Sequence, residues 1–271
     1  MRRYIYFVFL LCCAVNLLLT SCVRQKYVVM DMVHHNPGEA MTESKFLDPS
    51  FLKKNEYGAK VFFLFEAAQF GIDWKSFDPS LFPDTTEAGR WVAEKAEIIH
   101  KKYDAAKKED LQVYCMLDML VLPSLLVEKH RTELTNEQGK LDISKPYTQL
   151  CIRELMKEMF ETFPQLDGLV IRTGETYLHD APYYVGNHPV QNGMYDHITL
   201  INLLREEVCE RRNKKLFYRT WDMGQLHSIP KYYLSVTDSI EPHPNLYFSI
   251  KHTMTDFWRS TITDPDMNYN I

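Results

Sequence analysis

The sequence predicts an α/β fold, a (β/α)8 TIM-type barrel of which about six βα units are present, and three observations carry that prediction. Short apolar strand-like runs alternate with amphipathic helix-like stretches along the chain, the pattern of parallel βαβ units. Several of the strand-like runs are apolar almost throughout, as in a sheet covered on both faces. No strand-like run leads into G-x-G-x-x-G or G-x-x-x-x-G-K, which disfavours a nucleotide-binding doubly wound sheet. A barrel remains, and its usual size of about 250 residues suits a chain of 271.

Taken in order, the first strand is expected over 27–33, where Val28, Val29 and Met30 begin an apolar run, and the second over 61–65, Val-Phe-Phe-Leu-Phe. A helix over 85–108 presents Trp91, Ala93, Ile98 and Ile99 as one apolar stripe. The third strand covers 112–120. The polar stretch 135–144 reads as a surface loop. A helix over 147–163 places Leu150, Leu155, Met159 and Phe163 on one face, and the fourth strand follows over 169–172. A helix over 197–212, rich in Leu, Glu and Arg, leads to the fifth strand over 216–219, and the sixth lies over 246–250. Six units are visible where a closed barrel has eight. Residue 271 comes soon after the sixth strand, so the expectation is a barrel lacking its last units, with two parallel edges left unpaired.

The N-terminus stands apart from this pattern. Arg2 and Arg3 precede an apolar run to Leu19, the layout of a secretory signal and too short for a membrane span. Leu19-Thr20-Ser21-Cys22 resembles a bacterial lipobox. The expected organisation is therefore a lipoprotein signal peptide over 1–21 and a barrel domain over 22–271. Lipidated Cys22 would hold the protein to a bacterial membrane, periplasmic or cell-surface, since several acyl chains anchor stably where one does not.

Losing Arg2 and Arg3 takes the net charge from −5 to −7. An acidic chain does not gather polyanions by net charge, so nucleic acid is not an expected partner. With 45% hydrophobic and 25% charged residues the composition is that of an ordinary globular protein, not a disordered one. Beyond Cys22 only Cys115, Cys151 and Cys209 remain, too few and too scattered for a disulfide framework or a metal site. Cys115, within an apolar strand, is expected to be a buried thiol. The lysines at 101, 102, 107 and 108 alternate with acids and read as a solvated helix face.

In a barrel, function gathers at the carboxyl ends of the strands, and here each strand runs into polar residues. The first leads to His34, His35 and Glu39, the second to Glu66 and Gln69, and the third to Asp118. The fourth leads to Arg172, Glu175 and Tyr177, the fifth to Arg219, Trp221 and Asp222, and the sixth to Lys251, His252 and Asp256. Cationic, aromatic and carboxylate groups on one rim suit a polar, anionic ligand. Paired carboxylates are the usual machinery of glycosidases, and Glu175 and Asp256 directly or nearly follow strands. The same two positions would also serve as turn or helix N-cap residues. Trp221 and Tyr177 could stack on a sugar ring or simply pack. His34 and His35 are neighbours, so on a strand they point to opposite faces. No H-E-x-x-H or similar spacing occurs, and neither a metal nor another cofactor is expected.

Two segments go beyond pattern. Asp167-Gly168-Leu169-Val170-Ile171-Arg172-Thr173-Gly174-Glu175 resembles the fourth-strand motif of the family 67 α-glucuronidases, in which a D-G-F/L-V-V run leads into the general-acid glutamate. Residues 245–257, Asn-Leu-Tyr-Phe-Ser-Ile-Lys-His-Thr-Met-Thr-Asp-Phe, resemble that family's N-V-I-L-Q-I-K-x-G-P-M-D-F. Phe217-Tyr218-Arg219-Thr220-Trp221 sits between them, where the family has an arginine-bearing fifth strand. The resemblance covers about 167–259; the first half of the chain agrees only in its βα layout.

The resemblance implies a barrel and inverting, metal-free hydrolysis of an α-linked uronic acid from a plant-type oligosaccharide. Glu175 is similar to the family's general acid and Asp256 to one of two carboxylates that activate water. Arg219 and Lys251 match positions that contact the uronic acid, and Arg172 stands one position beyond a family lysine. Arginine can grip a sugar carboxylate with two parallel hydrogen bonds. His34, Glu39, Trp221 and Tyr177 complete the expected binding rim. The family's second water-activating glutamate lies about 28 residues past the M-D-F aspartate, beyond residue 271, and its N-terminal β-rich domain has no counterpart. Two readings therefore stand: a glycoside hydrolase acting on uronic-acid-containing or otherwise anionic oligosaccharides, and a non-catalytic carbohydrate-binding lipoprotein or inactive truncated barrel.

Overall fold

A computed structural model describes residues 28–31, 44–63, 66–174, 176–178, 180–220, 226 and 229–250. Six strands form one parallel sheet: β1 (Met30–Asp31), β2 (Ala59–Phe62), β3 (Gln112–Asp118), β5 (Gly168–Arg172), β7 (Lys215–Arg219) and β8 (Leu246–Ser249). They lie side by side in chain order. That order separates the sheet from a doubly wound one, in which the order reverses at a switch point. Among the described residues β1 and β8 are the two edges and the sheet is not closed. All six predicted strands are present; the first is shorter than expected within the described residues.

The strands alternate between two faces, as the period of two requires. One face carries Ala59, Val61, Tyr114, Met116 and Val170, joined by Phe217, as a small apolar cluster of its own. The other carries Phe62, Val113, Cys115, Leu117, Leu169, Ile171, Leu216 and Tyr218 into the main core beneath the helices. Both faces of the central strands are thus buried, which explains why β3 and β5 read as unbroken apolar runs. Cys115 is buried as expected; its Sγ accepts the Ala68 backbone N–H at 3.1 Å, and burial pushes its thiol up to about 12. Cys151 and Cys209 are also buried and free.

Between the strands run α1 (Pro49–Lys54), α2 (Glu87–Lys108), α3 (Ser124–Lys129), α4 (Arg131–Leu134), α5 (Pro146–Thr162), α6 (Met194–Leu204) and α7 (Pro230–Thr237). Helix α2 is capped by Thr86, whose Oγ1 accepts the Gly89 N–H at 3.0 Å. Of the lysines expected on its solvated face, Lys101 pairs with Glu97, but Lys102 reaches Glu66 and Lys107 reaches Asp167. Helix α6 continues as a π-helical turn, Arg205–Glu210, so its span is 194–210 rather than 197–212. The short helices α1, α3, α4 and α7 were not expected from the sequence.

Two further departures bear on the site. A two-stranded antiparallel ribbon, β4 (Val121–Pro123) with β6 (Tyr184–Gly186), follows directly on β3. The stretch 135–144 is a loop, as expected, but it is partly buried rather than wholly at the surface. Thr135 bridges Leu141, Asn136 Oδ1 accepts the N–H groups of Gln138 and Lys140 at 3.0 Å, and Leu141 and Ile143 are buried. The polar tip hides two apolar anchors.

Candidate functional site

At the carboxyl end of the sheet three charged residues lie in register. Asp118 of β3 pairs with Arg172 of β5, and Arg172 pairs with Arg219 of β7. Residues paired across parallel strands point to the same face, here the one that carries Tyr114, Met116 and Val170. The charged row therefore sits above the small apolar cluster, where a barrel's interior opens to its rim.

The Asp118 carboxylate takes Arg172 side-on. Oδ1 accepts from Nε and Oδ2 from Nη2, the latter at 2.6 Å. Both side chains are largely buried, at 8% and 15% exposure. A side-on pair of this kind is among the strongest charge-assisted contacts and fixes the plane of the guanidinium. Oδ2 also accepts the Tyr177 backbone N–H at 2.9 Å, and the Tyr177 ring lies 4.6 Å from the Arg172 guanidinium carbon. Arg172 is thus held between a carboxylate and an aromatic face, while the Tyr177 side chain stays 40% exposed. The pair uses two of the guanidinium's five donors. Arg219 is buried beside this pair and directs Nη1 at Met116 Sδ, 3.9 Å away.

The chain leaves β5 through Thr173 and Gly174 and passes at once to position 175. Gly174 has φ +112°, a conformation side-chain-bearing residues rarely adopt. Its N–H donates to His188 Nδ1 at 2.9 Å. Thr173 is buried near the Tyr218 hydroxyl, which lies 2.7 Å from His197 Nδ1. His197 is fully buried, and burial together with the nearby His188 pushes it down to about 4. Burial also lowers His188, against the pull of Asp196. Both imidazoles are neutral at pH 7.

Of the residues singled out in the sequence, the structure brings together Arg172, Arg219 and Tyr177. Glu175, Asp256, Lys251, Trp221, His34, Glu39 and Cys22 lie outside the described residues. Glu66, expected at the rim after the second strand, is instead paired with Lys102 of α2, and the Tyr103 hydroxyl donates to its carbonyl at 3.0 Å. The Asp-Gly pair of the fourth-strand motif acts at the opposite end of the sheet. Asp167 Oδ2 accepts the Val113 N–H at 2.7 Å, and a Cβ on Gly168 would lie 2.0 Å from the Lys215 carbonyl oxygen. Those two residues join strands; they do not reach the rim. Asp118, His188 and His197 belong to the site's framework and were not among the binding residues expected from the sequence. Asp118 carries a signal, an acid at the end of an apolar run; the two histidines carry none.

Among the described residues no group of three or more His, Cys, Asp or Glu could hold a metal ion, and no helix is long and apolar enough to cross a membrane.

No protein-family model matches the chain, and no curated protein does. Among solved structures it is similar to a GH138 enzyme targeting pectin rhamnogalacturonan II, at 15% identity and a TM-score of 0.44 over 83% of this chain and 25% of that one. It is similar to Dispersin B at 13% identity and a TM-score of 0.44, over 86% and 66% respectively. A maltogenic α-amylase, AmyB from Thermotoga neapolitana, gives 12% identity and a TM-score of 0.40 over 76% and 46%. The chain thus spans a quarter of the length of the first of these proteins and less than half of the amylase.

Proposed function

We propose that this chain is a carbohydrate-site protein of glycoside hydrolase type, whose ligand is an oligosaccharide bearing a uronic acid. The observation that supports this reading most is the charged row at the sheet's carboxyl end. Arg172 and Arg219 are neighbours there, in register and on the barrel-interior face, and the strand that carries Arg172 runs within three residues to Glu175. A guanidinium already oriented by Asp118 and Tyr177 loses little freedom on meeting a carboxylate, so the binding energy is not spent on ordering it.

In this reading Arg219, Arg172 and Lys251 hold the uronic acid carboxylate and Tyr177 and Trp221 offer sugar-stacking faces, with His34 and Glu39 completing the rim. Glu175 protonates the leaving oxygen and Asp256 assists the attacking water, the division of labour of an inverting hydrolase. Lipidated Cys22 keeps the protein on a bacterial membrane. The non-catalytic binding reading uses the same rim without turnover.

Isothermal titration with a glucuronic-acid-bearing xylo-oligosaccharide and its neutral counterpart tests the ligand class. The acidic sugar is expected to bind more tightly, and Arg219→Met to erase that preference, a loss of about 10- to 100-fold in Kd. Equal affinity for the two sugars would refute the uronate reading.

A further inference from the structure

The structure assigns His188 as a positioning residue for Glu175: by accepting the Gly174 backbone N–H at Nδ1 it fixes the turn through which β5 delivers residue 175. The assignment rests on the proposed role of Glu175 as the general acid.

The argument begins with hydrogen-bond capacity. A backbone N–H can only donate, so His188 Nδ1 must offer a lone pair and the ring must be neutral, with its proton on Nε2. An imidazolium has no acceptor. Protonating His188 therefore breaks this contact and sets two N–H groups against each other. Glycine at 174 is part of the same device, because its φ of +112° sets how the chain continues from the bonded N–H.

The backbone that carries the ring is anchored. His188 follows β6, and the preceding Asn187 exchanges both backbone hydrogen bonds with Leu120, at 2.8 and 3.0 Å. The Asn187 side chain clasps Leu141, accepting its N–H at 2.7 Å and donating to its carbonyl at 3.1 Å. Thr173 is buried, near the Tyr218 hydroxyl that meets His197 Nδ1. His188 thus holds Gly174 through its backbone N–H, and the residue before it is buried. The titratable groups that bear on His188 among the described residues are Asp196 and His197, both in the first turn of α6. Asp196 is buried and accepts the N–H groups of Gln191 and Asn192 at 2.6 Å each.

A general acid misplaced by about an ångström loses roughly 100-fold in rate. The decisive experiment follows the full chain from pH 4 to 7.5 by amide hydrogen exchange at Gly174. Uronic acid release from a glucuronic-acid-bearing xylo-oligosaccharide is measured in parallel. Wild type, His188→Asn, His188→Leu and Glu175→Gln are compared. Asparagine keeps an acceptor near the position of Nδ1 and does not titrate; leucine removes it. In wild type the Gly174 protection factor is expected to fall about tenfold as His188 protonates. It stays level in His188→Asn and is low at every pH in His188→Leu. His188→Leu loses about 100-fold in kcat with KM little changed, and His188→Asn retains activity while losing the His188 inflection from its pH profile. Should His188→Leu leave both Gly174 protection and kcat at wild-type values, the positioning role is wrong. Should Gly174 respond as expected while Glu175→Gln releases uronic acid at the wild-type rate, the acid assignment is wrong and His188 holds only the turn. If His188→Leu does not fold, the pH response of wild type against His188→Asn decides the matter.

Discussion

Asp118 and Arg172 stand opposite one another on neighbouring strands, and the carboxylate binds the guanidinium side-on while also accepting the Tyr177 backbone N–H. One carboxylate therefore joins three things: β3, β5, and the segment just beyond position 175. The consequence for stability is direct. Removing one partner of a buried pair leaves the other charge without compensation, at a cost of about 3 kcal/mol or more. Asp118→Ala should lower the urea midpoint accordingly, and Asp118→Ala with Arg172→Met should recover much of the loss. A double variant no more stable than Asp118→Ala alone would show that the pair is not what the single change breaks.

The buried histidine makes stability depend on pH. His197 is held at about 4 in the folded chain, against about 6.5 in an unfolded one. Between those values the unfolded chain binds the extra proton, so stability is full above about pH 6.5 and declines as pH falls toward 4. The loss amounts to about 3 kcal/mol. Thermal unfolding of wild type and His197→Phe at pH 7.5, 6, 5 and 4 measures it; the variant should show a shallower decline. Parallel curves for the two proteins would mean that other groups carry the pH dependence.

Gly168 and Gly174 should fail in different ways when changed to alanine. At Gly168 the added methyl group meets the Lys215 carbonyl oxygen, so β5 and β7 must separate, and a large loss of stability is expected. At Gly174 the cost is a strained backbone, about 1–3 kcal/mol, with the sheet intact. Gly174→Ala should then keep a cooperative transition while losing protection of its own amide. Equal destabilisation by the two changes would contradict the separate roles given to the strand contact and the turn.

Much of the sheet was legible in the sequence, for a physical reason. A parallel strand buried on both faces is apolar without interruption, so Val113 to Leu117 and Leu169 to Ile171 stand out without any periodicity argument. The short helices were not legible, because a single turn such as Arg131–Leu134 has too few residues to show a period of 3.6. The β4–β6 ribbon escaped for the same reason. Its strands have three residues each, and Pro123 ends one of them.

The site was legible to a lesser degree. Arg172 and Arg219 announce themselves as charges at the ends of apolar strands. That Asp118 takes hold of Arg172 depends on a register between strands separated by 54 residues, and no local pattern encodes it. His188 reaches Gly174 from just beyond the β4–β6 ribbon, so its role appears only once the chain has folded. Asp167 and Gly168 make the opposite point. They are the most motif-like residues of the fourth strand, yet their contacts belong to the far end of the sheet.

The most direct measurement is uronic acid release from a glucuronic-acid-bearing xylo-oligosaccharide by wild type and Glu175→Gln, with binding of the same sugar measured on both. A general-acid role for Glu175 predicts release by wild type, a fall of about 100-fold or more in Glu175→Gln, and affinity little changed. Equal rates in the two proteins, or tight binding by wild type with no release at all, would contradict it.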